Sequence, residues 1–309
     1  MKKNLLLLFL VLICFFGCKK DRSSAIKPSA VKKYAVNLNV SNFEHQRAAF
    51  SLKRQIQSVK HTTSDTVGVS TYLDVLYYYV FDQGGHIVNE IAQDSTMANF
   101  GLISDSLQTG TYNVILAAGK SGLGATPGVP GLNISQAYIS YGGIDWEDTF
   151  FEKFTLEVGT GNLDRDVTLH RIVSKLELNI LDAIPDSVST INMDVWAEFP
   201  KYVFDFPNPG GTPDTLHICT RVSTSALGKP GFTFDKIVGN QLALFNITIT
   251  ARDACNHIIA EAHVNNVQSD PNKKTVLSGK LFNNPPASSP QSFTVKIDTA
   301  WGATTHISF

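Results

Sequence analysis

The stretch Tyr72-Leu73-Asp74-Val75-Leu76-Tyr77-Tyr78-Tyr79-Val80-Phe81 runs directly into Asp82-Gln83-Gly84-Gly85. Aromatic and β-branched residues crowd it, and its continuous apolar character is best read as a central strand. The acidic, glycine-rich tail is a turn signal, with His86-Ile87-Val88 placed to return as a hairpin partner. Strands of this kind recur outward in both directions. Tyr34–Val40 alternates apolar and polar, the mark of a half-buried strand. Asn42–Ser58 is polar and suits a short helix or a loop. Thr111–Ala118 and Phe151–Val158 are further strands, separated by Gly119–Gly131, whose glycines and prolines predict a surface loop.

Gly159-Thr160-Gly161-Asn162 has the composition of a domain junction, and the strand pattern restarts after it. Val167–Leu181 alternates, with Leu176, Leu178 and Ile180 on one face and Lys175, Glu177 and Asn179 on the other. Ile191, Met193, Val195, Ala197 and Phe199 repeat the pattern. Pro207–Pro213 is a break, and Phe245–Ile249 and Phe293–Ile297 complete the set. No long stretch carries a helical period with caps. Many short strands at turn-marked spacing imply an all-β chain of two tandem antiparallel β-sandwiches, spanning 34–162 and 163–309.

The N-terminus predicts export. Met1-Lys2-Lys3-Asn4 is basic, Leu5–Phe16 is apolar, and Gly17-Cys18 follows. The apolar run is shorter than the about 20 residues that cross a bilayer. Gly17-Cys18, followed by Lys19-Lys20-Asp21, resembles a lipobox: cleavage after Gly17 would leave Cys18 as a lipid-carrying first residue. Positions 1–17 are then the signal peptide and 18–33 a flexible tether. Phe15 and Phe16 depart from the usual Leu and small residue of that motif.

At a net charge of -1, the chain has no basic surplus for nucleic acid and no acidic tail. Cys219 and Cys255 are the two cysteines left in the body of the protein, and they suit either one disulfide or two separate buried thiols.

Catalytic motifs are missing from the sequence: there is no nucleophile elbow, no zinc-protease His pair and no phosphate loop. Neither a cofactor nor a metal is expected. His170, beside Arg171, reads as a half-exposed strand residue. Asp214 and His217 are spaced too commonly to signify a metal site. Asp145-Trp146-Glu147-Asp148 sets an aromatic among acids, which a glycan site could use, although a solvated acidic loop is the simpler reading. Asp65-Thr66-Val67, Asp105-Ser106-Leu107, Asp186-Ser187-Val188, Asp214-Thr215-Leu216 and Asp298-Thr299-Ala300 share an Asp-hydroxyl-apolar form. That form is similar to the O-glycosylation sequon of Bacteroidetes exported proteins, which makes Thr66, Ser106, Ser187, Thr215 and Thr299 candidate acceptors. Asp-Ser and Asp-Thr pairs are also ordinary β-turn residues.

Four stretches together carry a family resemblance. They are Tyr78–Gly85, Leu107–Tyr112 with Val114–Gly119, Val167–Leu176, and Asn272–Leu281, with Phe293–Trp301 after them. In this order, behind a lipoprotein signal, the chain resembles the fimbrial anchor and minor-subunit lipoproteins of Bacteroidetes, the FimB-type, fimbrillin-related group. The resemblance implies two transthyretin-like β-sandwiches, an outer-membrane location through the lipid on Cys18, surface exposure, and fimbrial subunits as protein partners. It also implies assembly by strand addition, for which Phe293–Ile297 and Tyr34–Val40 are the candidate strands; Tyr34–Val40 is more simply an ordinary edge strand of its own sheet. Arg47 and Arg54 lie in the region after the first strand, and major subunits of the group can be matured by cleavage after an Arg, a step that an anchor does not need. The alternative function is a surface glycan-binding lipoprotein using Trp146, Trp196 and Trp301 as stacking platforms, and it requires those rings exposed on one face. A hydrolase would need two close carboxylates or a Ser–His pair in one pocket.

Overall fold

The structure, a computed structural model, describes residues 31–44, 72–126, 133–239, 244–283 and 293–298. Gly17, Cys18, Arg47, Arg54, Thr66, Thr299 and Trp301 lie outside them, as does nearly all of the tether, whose last residue Lys33 opens the first strand. In chain order the strands are β1 (Lys33–Glu44), β2 (Val75–Phe81), β3 (Ile87–Asp94), β4 (Leu102–Gln108), β5 (Gly110–Gly119), β6 (Gly124–Ala125), β7 (Tyr138–Ser140), β8 (Thr149–Val158), β9 (Leu163–Arg171) and β10 (Ser174–Ile180). They continue as β11 (Thr190–Glu198), β12 (Lys201–Val203), β13 (Asn208–Gly210), β14 (Asp214–Arg221), β15 (Phe232–Val238), β16 (Phe245–Arg252), β17 (Ile258–Val267), β18 (Lys274–Gly279) and β19 (Thr294–Asp298).

The first seven-stranded sheet has the order β3-β2-β5-β8-β9-β1-β4. Strands β8 and β9 pair only at Phe150↔Arg171 and Phe151↔His170, and at this short corner the sheet folds over itself. The halves β3-β2-β5-β8 and β9-β1-β4 then face each other across one core, in which Leu76, Tyr78, Val114, Leu116 and Phe150 meet Val36, Leu38, Val40, Ile103 and Val167. The two far edges are tied together. Gln93 on β3 donates to the Leu102 carbonyl of β4 (2.9 Å), and Tyr78 and Asn89 donate to Asp105.

The second sandwich is two four-stranded sheets, β14-β11-β16-β17 and β15-β10-β18-β19, packed around Leu176, Leu178, Ile180, Ile191, Met193, Ile247, Ile249 and Leu277. Both sandwiches use one strand order: β3-β2-β5-β8 matches β14-β11-β16-β17, and β4-β1-β9 matches β15-β10-β18. This shared order is the expected transthyretin-like arrangement, with β19 added to the second copy.

Several expectations need correction. Two of the four sheets are mixed rather than antiparallel, because β1 runs parallel to β9 and β10 parallel to β18, while the other two are antiparallel throughout. The turn at 159–162 connects β8 to β9 across the first sandwich, and β9 belongs to the first sheet by its pairing with β1; that sheet therefore runs through Arg171 and its core through Leu169. The long alternating segment at 167–181 is two strands, because the chain leaves one sandwich after Arg171 and enters the other at Ser174. Tyr34–Val40 is a central strand between β4 and β9, not an edge. Within the segment expected to be a surface loop, Leu123 is buried and Gly124–Ala125 is a strand. Asn208–Gly210, inside the expected break, pairs with β12.

A fourth sheet, β13-β12-β7-β6, takes β7 from the first half of the chain and β12 from the second. It covers the outer face of the first sandwich: Tyr79, Phe81, Ile115, Ala117 and Phe151 pack against Ile139, Tyr202 and Phe204. Strands β2 and β5 are thus buried on both faces over most of their length, which is why 75–81 is continuously apolar while β10, half-buried on its outer face, alternates.

The two cores make a direct prediction. Leu116→Ala in the first and Leu178→Ala in the second should each cost about 2–5 kcal/mol in chemical denaturation, through lost burial and the cavity left behind. Leu102→Ala, at a half-exposed position, should stay within about 0.5 kcal/mol of the parent.

Candidate functional site at the junction of the sandwiches

The segment Asp145–Asp148 leads into β8 and reaches the second half of the chain at three points. Trp146 is only 2% exposed. Its indole N–H donates to the Phe199 carbonyl beyond β11 at 2.6 Å, and its ring meets Tyr141 edge-on at 5.9 Å. Gly239, after β15, lies against this ring so closely that an added Cβ would sit 2.5 Å from the indole nitrogen. The Gly239 N–H in turn donates to the buried carboxylate of Glu198 at 2.7 Å. Asp145 pairs with Lys236 on β15. The segment is therefore a clasp rather than a solvated acidic loop, and burial of Trp146 removes it from any exposed platform.

Asp148 supplies the third point. Arg171, at the end of β9, is 3% exposed. Its Nε and Nη2 donate to the two Asp148 oxygens at 2.6 and 2.8 Å, and its Nη1 donates to Asn272 Oδ1 at 2.9 Å. Its guanidinium carbon also lies 5.0 Å from the Phe150 ring centre. A planar, permanently charged fork suits this role, because it meets a carboxylate through two hydrogen bonds and keeps a third for the amide. Asn272 adopts φ 57 in the turn before β18, and its N–H donates to the Val173 carbonyl at 2.9 Å. Two sequence motifs separated by about a hundred residues thus close on one buried charge.

The fourth sheet makes the rest of the junction. Phe204 N–H donates to the Ala137 carbonyl at 3.0 Å, and Lys153 reaches across from β8 to the Phe204 carbonyl at 3.1 Å. Burial pulls the Lys153 ammonium below the usual lysine range, opposed by the nearby Asp205. Tyr202 packs edge-on against Phe151 at 5.1 Å and donates to the Pro207 carbonyl; burial pushes its phenol up to about 12. Tyr141 is likewise raised to about 12 by burial, although its bonds to Thr149 and the Lys120 N–H act the other way.

The other predicted residues are scattered. His170 points outward from β9, with its side chain 49% exposed and 3.4 Å from Glu152. Asp214 and His217 do not meet: His217 pairs with Asp194 on β11. Among the described residues, no group of three or more His, Cys, Asp or Glu is placed to hold a metal ion. Cys219 and Cys255 are both exposed and unbonded, in place of the disulfide or buried thiols expected. Trp196 is 51% exposed on the outer face of β11, apart from the buried Trp146. Its neighbour Ala197 takes φ 73 at a bulge in the β11–β14 pairing, so Ala197 is exposed and Glu198 turns inward where the alternation expected the reverse. Ser106 and Ser187 are exposed, and Thr215 is half-buried. The junction itself was missed by sequence reasoning. Its one signal was an Asp-Trp-Glu-Asp segment holding a large aromatic between acids.

Arg171→Ala should lower stability by about 3–5 kcal/mol, because it leaves the Asp148 carboxylate partly buried and without its cation. His170→Ala, one residue away but exposed, should change stability by no more than about 0.5 kcal/mol. Chemical denaturation of the two variants against the parent measures both.

Comparison with known proteins agrees with this architecture. No curated protein matches the sequence significantly. Among solved structures, the fimbrial anchor protein Mfa2 from Porphyromonas gingivalis superposes with a TM-score of 0.55 at 11% identity, covering 86% of this chain and 97% of that one. A candidate polysaccharide-binding protein from Bacteroides thetaiotaomicron gives a TM-score of 0.53 at 11% identity, over 80% of this chain and 92% of its own. A candidate adhesin from Bacteroides ovatus gives 0.52 at 12% identity, over 87% and 93%. At these identities the likeness is one of fold. The family of fimbrillin-A associated anchor proteins Mfa1 and Mfa2 matches residues 48–306, most of the chain, and this protein belongs to that family of fimbrial, envelope-associated proteins.

Proposed function

We propose that this protein is an outer-membrane lipoprotein, surface-exposed, that anchors or helps assemble a fimbrial fibre and performs no catalysis. The observation that carries this reading is the family match over residues 48–306. The basic, apolar and Gly17-Cys18 segments at the N-terminus support it from the other end. Acyl chains on Cys18 would hold the chain to the membrane; each buried methylene contributes about 0.8 kcal/mol, and two or more chains make the attachment stable. Fourteen residues, 19–32, separate Cys18 from β1 in the sequence.

Fimbrial subunits are the partners, joined by strand addition. In that mode main-chain hydrogen bonds supply affinity and alternate side chains set register. Strand β1 is unsuited to donation because it is central and its Val36, Leu38 and Val40 fill the first core. Strand β19 is the better candidate. It lies at a sheet edge, pairs only with β18 among the described strands, and touches the second core through Phe293 and Val295.

Cys18→Ser should release fibres into the medium while circular dichroism of the purified protein stays unchanged. Deletion of the gene should leave few cell-attached fibres by electron microscopy; attached fimbriae of normal length would overturn the anchoring role. The exposed Ser106 and Ser187, each following an Asp, are proposed as O-glycan acceptors. Mass spectrometry of protein purified from its native host should find added glycan mass on peptides covering them, and unmodified peptides would remove the assignment.

A further inference from the structure

The chain enters the first sandwich at Lys33, the start of β1, and leaves it at Arg171, the end of β9. These two strands lie side by side and parallel, in register from Val36↔Leu163 to Glu44↔His170. The point of entry and the point of exit are therefore at opposite ends of one hydrogen-bonded ladder. We propose that this joint is a shear clamp that makes the first sandwich resist tension applied between its N-terminal tether and the second sandwich.

The mechanics follow from direction. A pull on the beginning of β1 against the end of β9 runs along both strands in opposite senses. All of the ladder's hydrogen bonds are then stretched together, and none yields until the strands slide. A pull on two ends that lie level with each other opens the same ladder one bond at a time, at far lower force. Sliding is opposed further by side chains on both faces. On the outer face, Asn37 donates to Asp164 at 2.8 Å and Asn39 to Asp166 at 2.9 Å, each rung joining residues directly opposite in the register. Ser104 on β4 holds Asn37 from the other side at 3.1 Å. On the inner face, Val36, Leu38 and Val40 are fully buried. A slip of one residue would turn Asn37 and Asn39 into the core and the three apolar residues outward. At the exit, force passes from β9 straight into the buried Arg171 fork, which Asp148 and Asn272 hold.

The other end of the fold is built differently. Strand β19 runs antiparallel to β18, with Asp298 level with Lys274, and Lys274 is level with Lys175 at the start of β10. Tension between Asp298 and the entry to the second sandwich would peel β19 bond by bond. The fold is thus strong between Lys33 and Arg171 and yielding at β19. That the joint carries tension in the cell rests on the anchoring reading; its directional strength does not.

Single-molecule force spectroscopy on the whole mature chain tests this, with one handle at the N-terminus and a second on one introduced cysteine, after Cys219→Ser and Cys255→Ser. His170→Cys places the second handle at the shear end of β9, and Gly161→Cys places it at the unzipping end. Lys175→Cys, just beyond the junction, is a second shear handle should His170→Cys fail to fold. The shear geometry should rupture at a several-fold higher force than the unzipping geometry, with equal chemical denaturation midpoints. Asn37→Ala with Asn39→Ala should lower the shear force and leave the unzipping force nearly unchanged. Equal forces in the two geometries, or a weaker shear geometry, would overturn the clamp. Clamp behaviour in a protein whose Cys18→Ser variant sheds no fibres would instead overturn the anchoring reading alone.

Discussion

Everything in this fold depends on a pairing that closes late in the chain: the first strand of each sandwich lies parallel to its last main strand. Strand β1 meets β9 only after more than a hundred residues have intervened, and β10 meets β18 across a comparable span. Bringing such distant segments together costs loop-closure entropy before any contact repays it, so neither sandwich can form piecemeal. The return comes from the cores. Once β1 is inserted between β4 and β9, its buried valines and leucine complete one half of the first sandwich, and the tied edges at Gln93 and Asp105 shut it. The same logic repeats with different side chains in the second sandwich.

The junction is where the two repeats stop being independent. A sandwich that stood alone would need a polar outer face on β2 and β5. Here that face carries Tyr79, Phe81, Ile115 and Ala117, and a small sheet assembled from both halves of the chain covers it. Apolar burial drives this contact, and the buried polar groups set its geometry. Arg171 can be buried only because Asp148 and Asn272 both arrive, one from before β8 and one from before β18. An ion pair of this kind adds little net stability compared with an apolar filling, but a wrong domain arrangement would leave a charge without its partner. It therefore selects one relative placement of these segments.

No gathered chemistry emerges from the described surface. The described histidines sit in separate acid pairs, and of the described tryptophans one lies in the buried clasp and the other at an exposed bulge. What the fold concentrates instead is direction: an entry strand in the middle of a sheet, an exit at a buried charge, and a short last described strand at an edge.

Much of this was readable from local pattern. Alternation placed β10 and most of β11, and the aromatic run at 72–81 placed β2, because side-chain period and hydropathy act over a few residues at a time. The family resemblance was equally local in origin, resting on short motifs in order. What only the tertiary structure decided were the relations between distant segments. The stretch 167–181 looked like one strand because Ile172 and Val173 continue the apolar character; they are apolar because both halves of the junction bury them. Asp148, Arg171 and Asn272 are individually unremarkable polar residues, and nothing in their spacing announces that they share one buried charge. The sequence determined which segments would be strands and which faces would be apolar. Which strands would lie side by side, in which direction and over which buried charge was decided by long-range closure, where the entropy of the intervening chain is balanced against contacts that no short window contains.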